Sequence, residues 1–413
     1  MTDLTLRTVS DGDDYEAFTA TTYAAFFDEA YEDEIDLARA FTEFDRMFGF
    51  HDGSRWVATA GAFSKHVMLP GGGSTPVAAV TAVSVSPSHR RRGLLTAMMR
   101  HQLDDIRSRG TEALAMLYAS EASIYGRFGY GMATSAAELS GQVRELGFRP
   151  EVQLGNGSVT DVDAETLMAS APEIHQQAMV QRPGLMDRPR PWWDHWIHDS
   201  EKRRKDASKL RFVLHHEADG TASGFAIYRP KNGWTDRGQP NSELHIREVR
   251  ATNHLAYAQI WRYLLDVDLV RTVEYDVAAV DETLRYLVAD QRALSCEVRD
   301  GIYVRLVDVG RALTLRSYAA PVDVVLDIAD EFCPWNAGRW RLCGGPDGAE
   351  CETTTAPADI AISARDLGAI YLGGVSLQAL ANAGLVEELT PGAVHRTAVA
   401  FGWPVAPGVP DDF

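Results

Sequence analysis

Residues 80–99 read VTAVSVSPSHRRRGLLTAMM, and this stretch decides how the first part of the chain folds. Val80, Val83 and Val85 form a β-branched run that Pro87 ends, because proline cannot donate to a strand ladder. After the glycine, apolar residues recur at helical spacing, namely Leu94, Leu95, Met98, Met99, Leu103 and Ile106. The pattern predicts a strand, a turn and a helix.

The predicted turn carries three consecutive arginines, Arg90 to Arg92, directly before Gly93. The first N–H groups of a helix have no intrahelical partner, and the positive end of the helix dipole lies beside them. Gly93 lets the backbone approach a bulky anion closely. A basic triplet before a helix is also typical of a solvated surface turn or, in a basic protein, of a nucleic-acid patch. The preceding strand, the glycine and the acidic balance of the chain favour a phosphate-binding turn.

Length and composition limit the class of protein. The chain has 413 residues and 45% hydrophobic content, enough for two to three domains at about 150 residues each. No apolar run approaches the roughly 20 residues that cross a bilayer, and the N-terminal residues lack a cleavable hydrophobic segment. We therefore expect a cytoplasmic protein with no membrane partner.

The formal charge of −18 argues against a nucleic-acid partner, because phosphate contacts need a clustered basic face. It suits a cationic substrate, although acidity that serves only solubility gives the same charge. The four cysteines contain no Cys-x-x-Cys pair, so we expect reduced thiols. His215 and His216 are adjacent in a strand and point to opposite faces, so we expect no metal site there.

A second motif follows the predicted helix. Residues 113–118 have the composition of a buried strand and lead to residues 124–131, which read IYGRFGYG. A right-handed helical crossover between parallel strands places the 113–118 strand beside Val83 and Val85. Tyr125 then lies on a short helix, where a tyrosine more often serves packing than chemistry. Upstream of the first motif, the pattern predicts helices over residues 15–25 and 34–48.

The rest of the chain contains two further units. After a linker at residues 155–158, a helix is predicted over 164–180, and residues 244–261 repeat the strand, turn and helix without a glycine or an arginine cluster. This unit is interpreted as a decayed duplicate without a cofactor. The last unit begins near Arg311, with strands over 322–328 and 358–363 and helices over 377–388 and 393–400. The final eleven residues, 403–413, contain three prolines and an aromatic end, which favours a docked tail.

The two motifs resemble those of a known superfamily. Arg90-x-x-Gly93-x-Leu95, following Val83-x-Val85, resembles the acetyl-CoA signature of the Gcn5-related N-acetyltransferases (GNAT), and residues 124–130 resemble their Tyr-x-x-x-Gly-aromatic element. With the decayed second unit and the acidic, aromatic terminus, the whole chain resembles the Eis (enhanced intracellular survival) family of aminoglycoside N-acetyltransferases.

The resemblance implies an α/β (α+β) fold of two tandem GNAT-like domains and a C-terminal α+β domain like sterol carrier proteins. The expected boundaries are residues 1–155 for the catalytic GNAT domain, 156–310 for the degenerate one and 311–413 for the last domain with its tail in the active site. Family members acetylate several amines of one cationic aminosugar antibiotic, as well as lysine-type amines, and assemble as hexamers. Acetyl-CoA is the expected co-substrate, and no metal is expected.

The resemblance also assigns binding residues. Acetyl-CoA is expected to bind backbone groups of Val83 and Val85, with its pyrophosphate at Arg90, Arg91 and Gly93. The amine substrate is expected to meet the side chains that match the family's pocket positions, which are Phe26, Asp28 and Asp412.

Two catalytic roles follow from the same resemblance. Tyr125 becomes the general acid for the departing thiolate, because a phenol of pKa about 10 can donate a proton. Phe413 supplies a terminal carboxylate as general base. A free terminal carboxyl titrates near about 3.5, but burial and the neighbouring Asp411 and Asp412 would raise its pKa.

Two residues depart from the family pattern. Leu95 stands where the signature has a small residue, so helix packing differs there. Ala82 stands where the best-known pattern has an aromatic residue; this is expected to widen the pocket, and it means that the family's antibiotic preference does not carry over to this chain.

Two other functions are compatible with these residues. One is a protein lysine N-acetyltransferase, which differs in its preferred amine. The other is a non-catalytic acyl-CoA-binding or lipid-binding module, in which Tyr125 and Phe413 would have no chemical role.

Overall fold

The computed structural model describes residues 4–409 and 412–413. Two compact units divide the chain. The first holds the described residues of Met1–Thr134, Pro183–Asp187 and Gly301–Phe413, and the second holds Ser135–Arg182 and Arg188–Asp300. The described part of the chain contains no helix that is both long and apolar enough to span a membrane.

The strands, numbered along the chain, are β1 (Thr5–Thr8), β2 (Phe48–His51), β3 (Trp56–Met68), β4 (Ser74–Val85), β5 (Leu114–Tyr118), β6 (Gly131–Met132), β7 (Ser135–Gln142), β8 (Ser158–Val162), β9 (Arg211–His216), β10 (Ala222–Lys231), β11 (Ser242–Ala251), β12 (Val270–Ala279), β13 (Leu294–Asp300), β14 (Ile302–Leu306), β15 (Val322–Ala329), β16 (Gly338–Gly345), β17 (Gly348–Thr353), β18 (Ile360–Ser363) and β19 (Val386–Glu388).

The α-helices are α1 (Asp13–Ala25), α2 (Glu32–Arg39), α3 (Leu94–Arg109), α4 (Ala164–Met168), α5 (Ala171–Met179), α6 (Arg190–Trp196), α7 (His254–Leu265), α8 (Leu284–Leu287), α9 (Val309–Leu315), α10 (Ala364–Ile370), α11 (Leu377–Asn382) and α12 (Ala393–Phe401).

The first unit contains two sheets, with strand orders β1-β2-β3-β4-β5-β14-β6 and β17-β16-β15-β18-β19. Strands β4 and β5 run parallel and are connected through α3, as expected for a helical crossover. One hydrophobic core joins the two sheets, since a single cluster of contacting buried residues includes Met116, Val304, Leu326 and Ile370. The end of the chain therefore shares its core with the strands that follow the arginine-rich turn.

The second unit has one sheet with the order β13-β7-β12-β11-β10-β9-β8. Its central strands β11 and β12 are parallel and are connected through α7. This repeats the arrangement of β4, α3 and β5 in the first unit. Strand β7 pairs with both β12 and β13 in antiparallel fashion.

Several predicted elements are confirmed. The helix expected over 15–25 is α1, the strand expected over 113–118 is β5, and the helix expected over 393–400 is α12. The helix expected over 164–180 is two helices, α4 and α5, which Ala169 and Ser170 separate.

Two predicted helices are wrong in extent. The helix expected over 34–48 ends at Arg39, and Phe48 instead begins β2, which pairs with β1 and β3 on its two sides. The local sequence pattern predicts a helix here, but pairing with β1 and β3 determines the structure. The helix expected over 377–388 is α11, which ends at Asn382. It ends there because Gly384 takes a φ of +75° and residues 386–388 pair with β18.

Strand β14 is fixed to the second sheet of its unit by a buried ion pair. The Nη2 atom of Arg305 lies 2.9 and 2.6 Å from the two carboxylate oxygens of Asp330, and both side chains are buried. Asp330 also accepts a hydrogen bond from the backbone N–H of Cys333 at 2.9 Å. Close backbone packing adds to this contact, because a Cβ on Gly368 of α10 would lie 2.2 Å from the carbonyl oxygen of Val304.

We predict that Asp330→Ala lowers the free energy of unfolding by about 3–5 kcal/mol, because it leaves the Arg305 guanidinium buried without its carboxylate. Asp323→Ala is the matched control, since it breaks the Arg341–Asp323 pair, whose side chains are 50% and 56% exposed; it should cost no more than about 1 kcal/mol. Urea unfolding followed by tryptophan fluorescence measures both. Equal effects of the two substitutions would contradict the role of the buried pair.

Candidate active site

Strands β4 and β5 separate beyond a short paired region. Their register consists of Ala78 opposite Ala115 and Ala79 opposite Met116, and within the described residues no further pair joins them. Beyond this point β4 remains paired with β3, and β5 remains paired with β14 as far as Tyr118. The sheet therefore opens between the outer halves of β4 and β5.

A β-bulge lies on the β4 side of this opening. The register between β3 and β4 shifts between Thr59 and Gly61, and Ala82 takes a φ of +53°. A bulge bends its strand and increases the local twist, which turns β4 away from β5. Val83 belongs to the bulge with Ala82, and Val85 follows it; both valines are half-buried.

The arginine-rich turn follows β4 directly. Arg90, Arg91 and Arg92 are exposed, and Arg91 has a φ of +62°. Gly93 is the N-cap residue of α3 with a φ of +79°, and no side chain in the described part of the chain caps that helix start. Three guanidinium groups and uncapped helical N–H groups thus occur together, which is the chemistry of an anion site.

The packing of Leu95 accounts for the departure from the signature at this position. It is half-buried and packs beside Val83 against the core residues under α3. The larger side chain fills space between the helix and β4, so the first turn of α3 remains packed without a small residue there.

The matching turn of the second unit has different chemistry. The side chain of Asn253 caps α7, accepting from the N–H groups of Leu255 at 3.0 Å and Ala256 at 2.9 Å. These donors are therefore already bonded within the chain. On β11, the strand that precedes this turn, Glu248 is buried. Burial opposes the ionisation of its carboxyl, but the guanidinium groups of Arg188 and Arg250 hold the pKa of Glu248 well below the usual range.

Tyr125 lies just beyond β5, at the start of a 3-10 helix that spans Tyr125–Phe128. Its side chain is 4% exposed and packs with Tyr130, the two ring centroids being 6.2 Å apart. Burial, with a smaller effect of Glu121, raises the pKa of Tyr125 to about 12. Burial also raises the pKa of Tyr130. The Tyr125 phenol is therefore neutral at physiological pH.

The last residue of the chain lies against β5. The ring of Phe413 packs on Tyr118, with ring centroids 5.4 Å apart, and Phe413 is half-buried at the edge of the core. Tyr118 ends the strand that leads to Tyr125. Asp412 is exposed, whereas Asp411 lies outside the described residues.

Phe26 and Asp28 follow α1, which packs on β3 and β4. Phe26 is half exposed, and Phe27 is 92% exposed with a φ of +59°. The backbone N–H of Asp28 donates to the carbonyl of Tyr23 at 3.0 Å, which closes the end of the helix. An aromatic ring and a carboxylate are thus presented beside the helix that borders β4.

The structure brings the predicted residues of β4, of the arginine-rich turn, of the Tyr125 helix and of the tail into the first unit. Sequence reasoning missed Tyr118, which contacts Phe413, and Thr59, which contacts the bulge. Neither carries a motif, and only their positions on β5 and β3 reveal them. Across the described residues, no group of three or more His, Cys, Asp or Glu side chains is arranged to hold a metal ion.

Comparison with protein families agrees with this arrangement. One model described as an acetyltransferase (GNAT) domain matches residues 5–133, and another with the same description matches residues 184–306. A model for a sterol carrier protein domain matches residues 309–410. The expected fold of two GNAT-like domains and a sterol-carrier-like domain is confirmed.

Individual relatives extend along most of the chain. An uncharacterized N-acetyltransferase of Streptomyces avermitilis is 45% identical over 406 residues, which are 97% of this chain and 98% of that protein. N-acetyltransferase Eis of Mycobacterium tuberculosis is 31% identical over 360 residues, covering 86% of this chain and 85% of that protein. The crystal structure of Eis1 from Mycobacterium abscessus aligns with a TM-score of 0.84 at 31% identity, covering 100% of both chains.

We predict that Tyr125 ionises near pH 12, because burial disfavours the phenolate. The difference in absorbance at about 295 nm between the wild type and Tyr125→Phe, followed from pH 8 upward, measures this single phenol. Free tyrosine, with a pKa of about 10, is the reference. A transition at the value of free tyrosine would contradict the buried position of the side chain.

Proposed function

Because the chain belongs to the Eis family of Gcn5-related N-acetyltransferases, we propose that it transfers acetyl groups from acetyl-CoA to several amines of cationic molecules such as aminoglycosides. The observation that carries this proposal is the uncapped start of α3 beside three exposed arginines, at the end of a strand that has separated from β5. The homohexamer expected from the resemblance and the cytoplasmic location expected from the sequence composition remain predictions.

Acetyl-CoA fits this arrangement in two parts. Its pyrophosphate would accept hydrogen bonds from the first N–H groups of α3 and pair with Arg90 and Arg91, because that helix end is positive and uncapped. Gly93 would allow the close approach. The pantetheine chain would then lie in the opening between β4 and β5, where backbone groups of Val83 and Val85 are its proposed partners.

In the proposed reaction the amine nitrogen attacks the thioester carbonyl, a C–N bond forms, and the C–S bond breaks. Tyr125 supports the departure of sulfur. Its pKa of about 12 exceeds that of a thiol, about 8.5, so complete transfer of the phenol proton is uphill even to the fully formed thiolate. The phenol would therefore keep its proton and stabilise the developing thiolate by donating a hydrogen bond to it, and the released CoA thiolate would take up a proton from solvent.

The amine proton needs an acceptor, and we propose the α-carboxylate of Phe413. Support comes from the packing of the Phe413 ring on Tyr118, at the end of the strand that leads to Tyr125. The proton would move through water where no direct contact exists.

The proposed amine pocket has three members, Phe26, Asp28 and Asp412. An aromatic face and two carboxylates attract an ammonium group by cation–π and Coulomb interactions. The formal charge of −18 would favour the approach of a polycation. Ala82, which lies in β4, leaves more room in the proposed pocket than an aromatic residue would.

We predict that the wild type releases CoA thiol from acetyl-CoA with at least one aminoglycoside, and that Tyr125→Phe lowers kcat by about 100-fold or more. The Michaelis constant for acetyl-CoA should stay within about twofold, because the phenol acts on the leaving group. Tyr286→Phe is the matched control, since Tyr286 is 58% exposed in the second unit. Detection of free thiol with a disulfide reagent measures both constants.

The same assay separates the alternatives. Higher kcat/KM with lysine peptides than with any aminoglycoside would identify a protein lysine N-acetyltransferase. Binding of acetyl-CoA without thiol release for any amine would leave a non-catalytic module and overturn the proposal.

We predict that three residues, Gly-Ser-Gly, appended after Phe413 lower kcat by about tenfold or more, because they move the carboxylate while the ring can remain on Tyr118. The affinity for acetyl-CoA, measured by calorimetry, should not change. Phe413→Tyr keeps both the carboxylate and an aromatic ring, so it should retain activity. A fully active extended protein would overturn the role of the carboxylate and leave the transferase function intact.

A further inference from the structure

Ala82 has a conformation that the rest of the structure must enforce. It is a non-glycine residue inside β4 with a φ of +53°. An L-amino acid is strained in this region, since its Cβ approaches the backbone, and such a residue persists only where its surroundings fix it. The chain therefore contains a contact that holds this bulge in place.

Thr59 of β3 provides that contact. Its side chain is fully buried, and its Oγ1 atom donates to the carbonyl oxygen of Ala82 at 2.7 Å. The same atom lies 2.7 Å from Oγ of Ser84, which is directly opposite Thr59 in the sheet. Because a threonine hydroxyl has one hydrogen, Ser84 is the donor in this second bond. Both sides of the bulge are thus tied to one hydroxyl.

A third contact of the Thr59 hydroxyl comes from helix α1. Oγ1 of Thr22, on α1, lies 3.1 Å from Oγ1 of Thr59 and 3.1 Å from the carbonyl oxygen of Phe18, so its one hydrogen is shared between these two acceptors. Thr59 thus donates to Ala82 and accepts from Ser84, with Thr22 in contact as a shared donor. Buried hydrogen-bond networks make a conformation specific. The network joins the bulge to the helix that ends before Phe26 and Asp28.

The direction of the Ala82 carbonyl fixes the direction of the next N–H. Every peptide bond in the described chain is trans, so the C=O of Ala82 and the N–H of Val83, which belong to one peptide group, point in opposite directions. The carbonyl points toward β3, and β3 and β5 lie on opposite sides of β4. The N–H of Val83 therefore points away from the Thr59 hydroxyl.

We propose that Thr59 is a positioning residue for acetyl-CoA, which acts by holding the Ala82 peptide so that the N–H of Val83 faces the opening. This inference rests on the proposed function. Without the hydroxyl, the peptide can rotate toward an ordinary strand conformation, and the Val83 donor is lost to the cofactor. The residue acts through the backbone and does not itself touch the reacting atoms.

The test is calorimetric binding of acetyl-CoA in the absence of an amine, with steady-state kinetics beside it. Thr59→Val keeps the shape and removes the hydroxyl, so we expect the dissociation constant for acetyl-CoA to rise about tenfold, the effect of one hydrogen bond. Thr59→Ser keeps the hydroxyl and should stay within about twofold of the wild type. In kinetics, Thr59→Val should raise the Michaelis constant for acetyl-CoA more than that for the amine, which a general loss of stability would not do.

Each result decides between defined outcomes. A folded Thr59→Val protein that binds acetyl-CoA as the wild type does overturns the inference and leaves the proposed function intact, whereas a wild type that binds no acetyl-CoA overturns both. Where Thr59→Val does not fold, Ser84→Ala gives the answer, because it removes one of the two ties to the bulge. It should raise the dissociation constant about threefold, and an unchanged value contradicts the role of the network.

Discussion

The outer half of β5 has a single strand partner, and the candidate site depends on that pairing. Strand β4 pairs with β5 at two positions only, so the opening beside β4 leaves β5 without support on that side. Strand β14 pairs with all five residues from Leu114 to Tyr118 on the other side. The antiparallel ladder with β14 satisfies the backbone N–H and C=O groups on that side of β5, whereas the groups on the other side of its outer half face the opening. The site can therefore be open and still have a rigid wall that ends at Tyr118.

The support of β14 extends into the end of the chain. Arg305 on β14 is paired with Asp330, which follows β15, and α10 approaches β14 closely enough that Gly368 cannot carry a side chain. The side chain of Arg365 on α10 also lies within 3.3 Å of the position of a Cβ on Gly126, beside Tyr125. The sterol-carrier-like part thus supports the Tyr125 helix, and one core cluster includes Tyr125 and Phe128 together with Phe332 and Cys333.

The local features of the site could be predicted from the sequence, but its long-range features could not. The arginine-rich turn, the uncapped start of α3 and the Tyr125 element follow from short-range rules on glycine, proline and helix periodicity. The position of β14 does not, because strand order in a sheet is set by pairing between distant residues. A difference in helix packing at Leu95 could be predicted, but not the core that Leu95 packs on, since Leu95 and Val83 meet the same buried residues only when β4 and α3 are placed together. Thr59 gave no signal at all, because a lone threonine in a strand is ordinary.

Strand order also explains why a second GNAT-like copy persists without the chemistry of the first. Asn253 occupies the helix N-terminus with its own side chain, so this turn lacks the uncapped N–H groups on which the anion site proposed for the first unit depends. Yet the segment that matches the second acetyltransferase model, residues 184–306, ends in β14, which lies in the sheet of the first unit. Conversely β7, which directly follows the first match at residues 5–133, lies in the sheet of the second unit. Each sheet is therefore completed by a strand from the other half of the sequence. Loss of the second copy would remove the strand that pairs with β5, so that copy has a structural role in the sheet of the first unit.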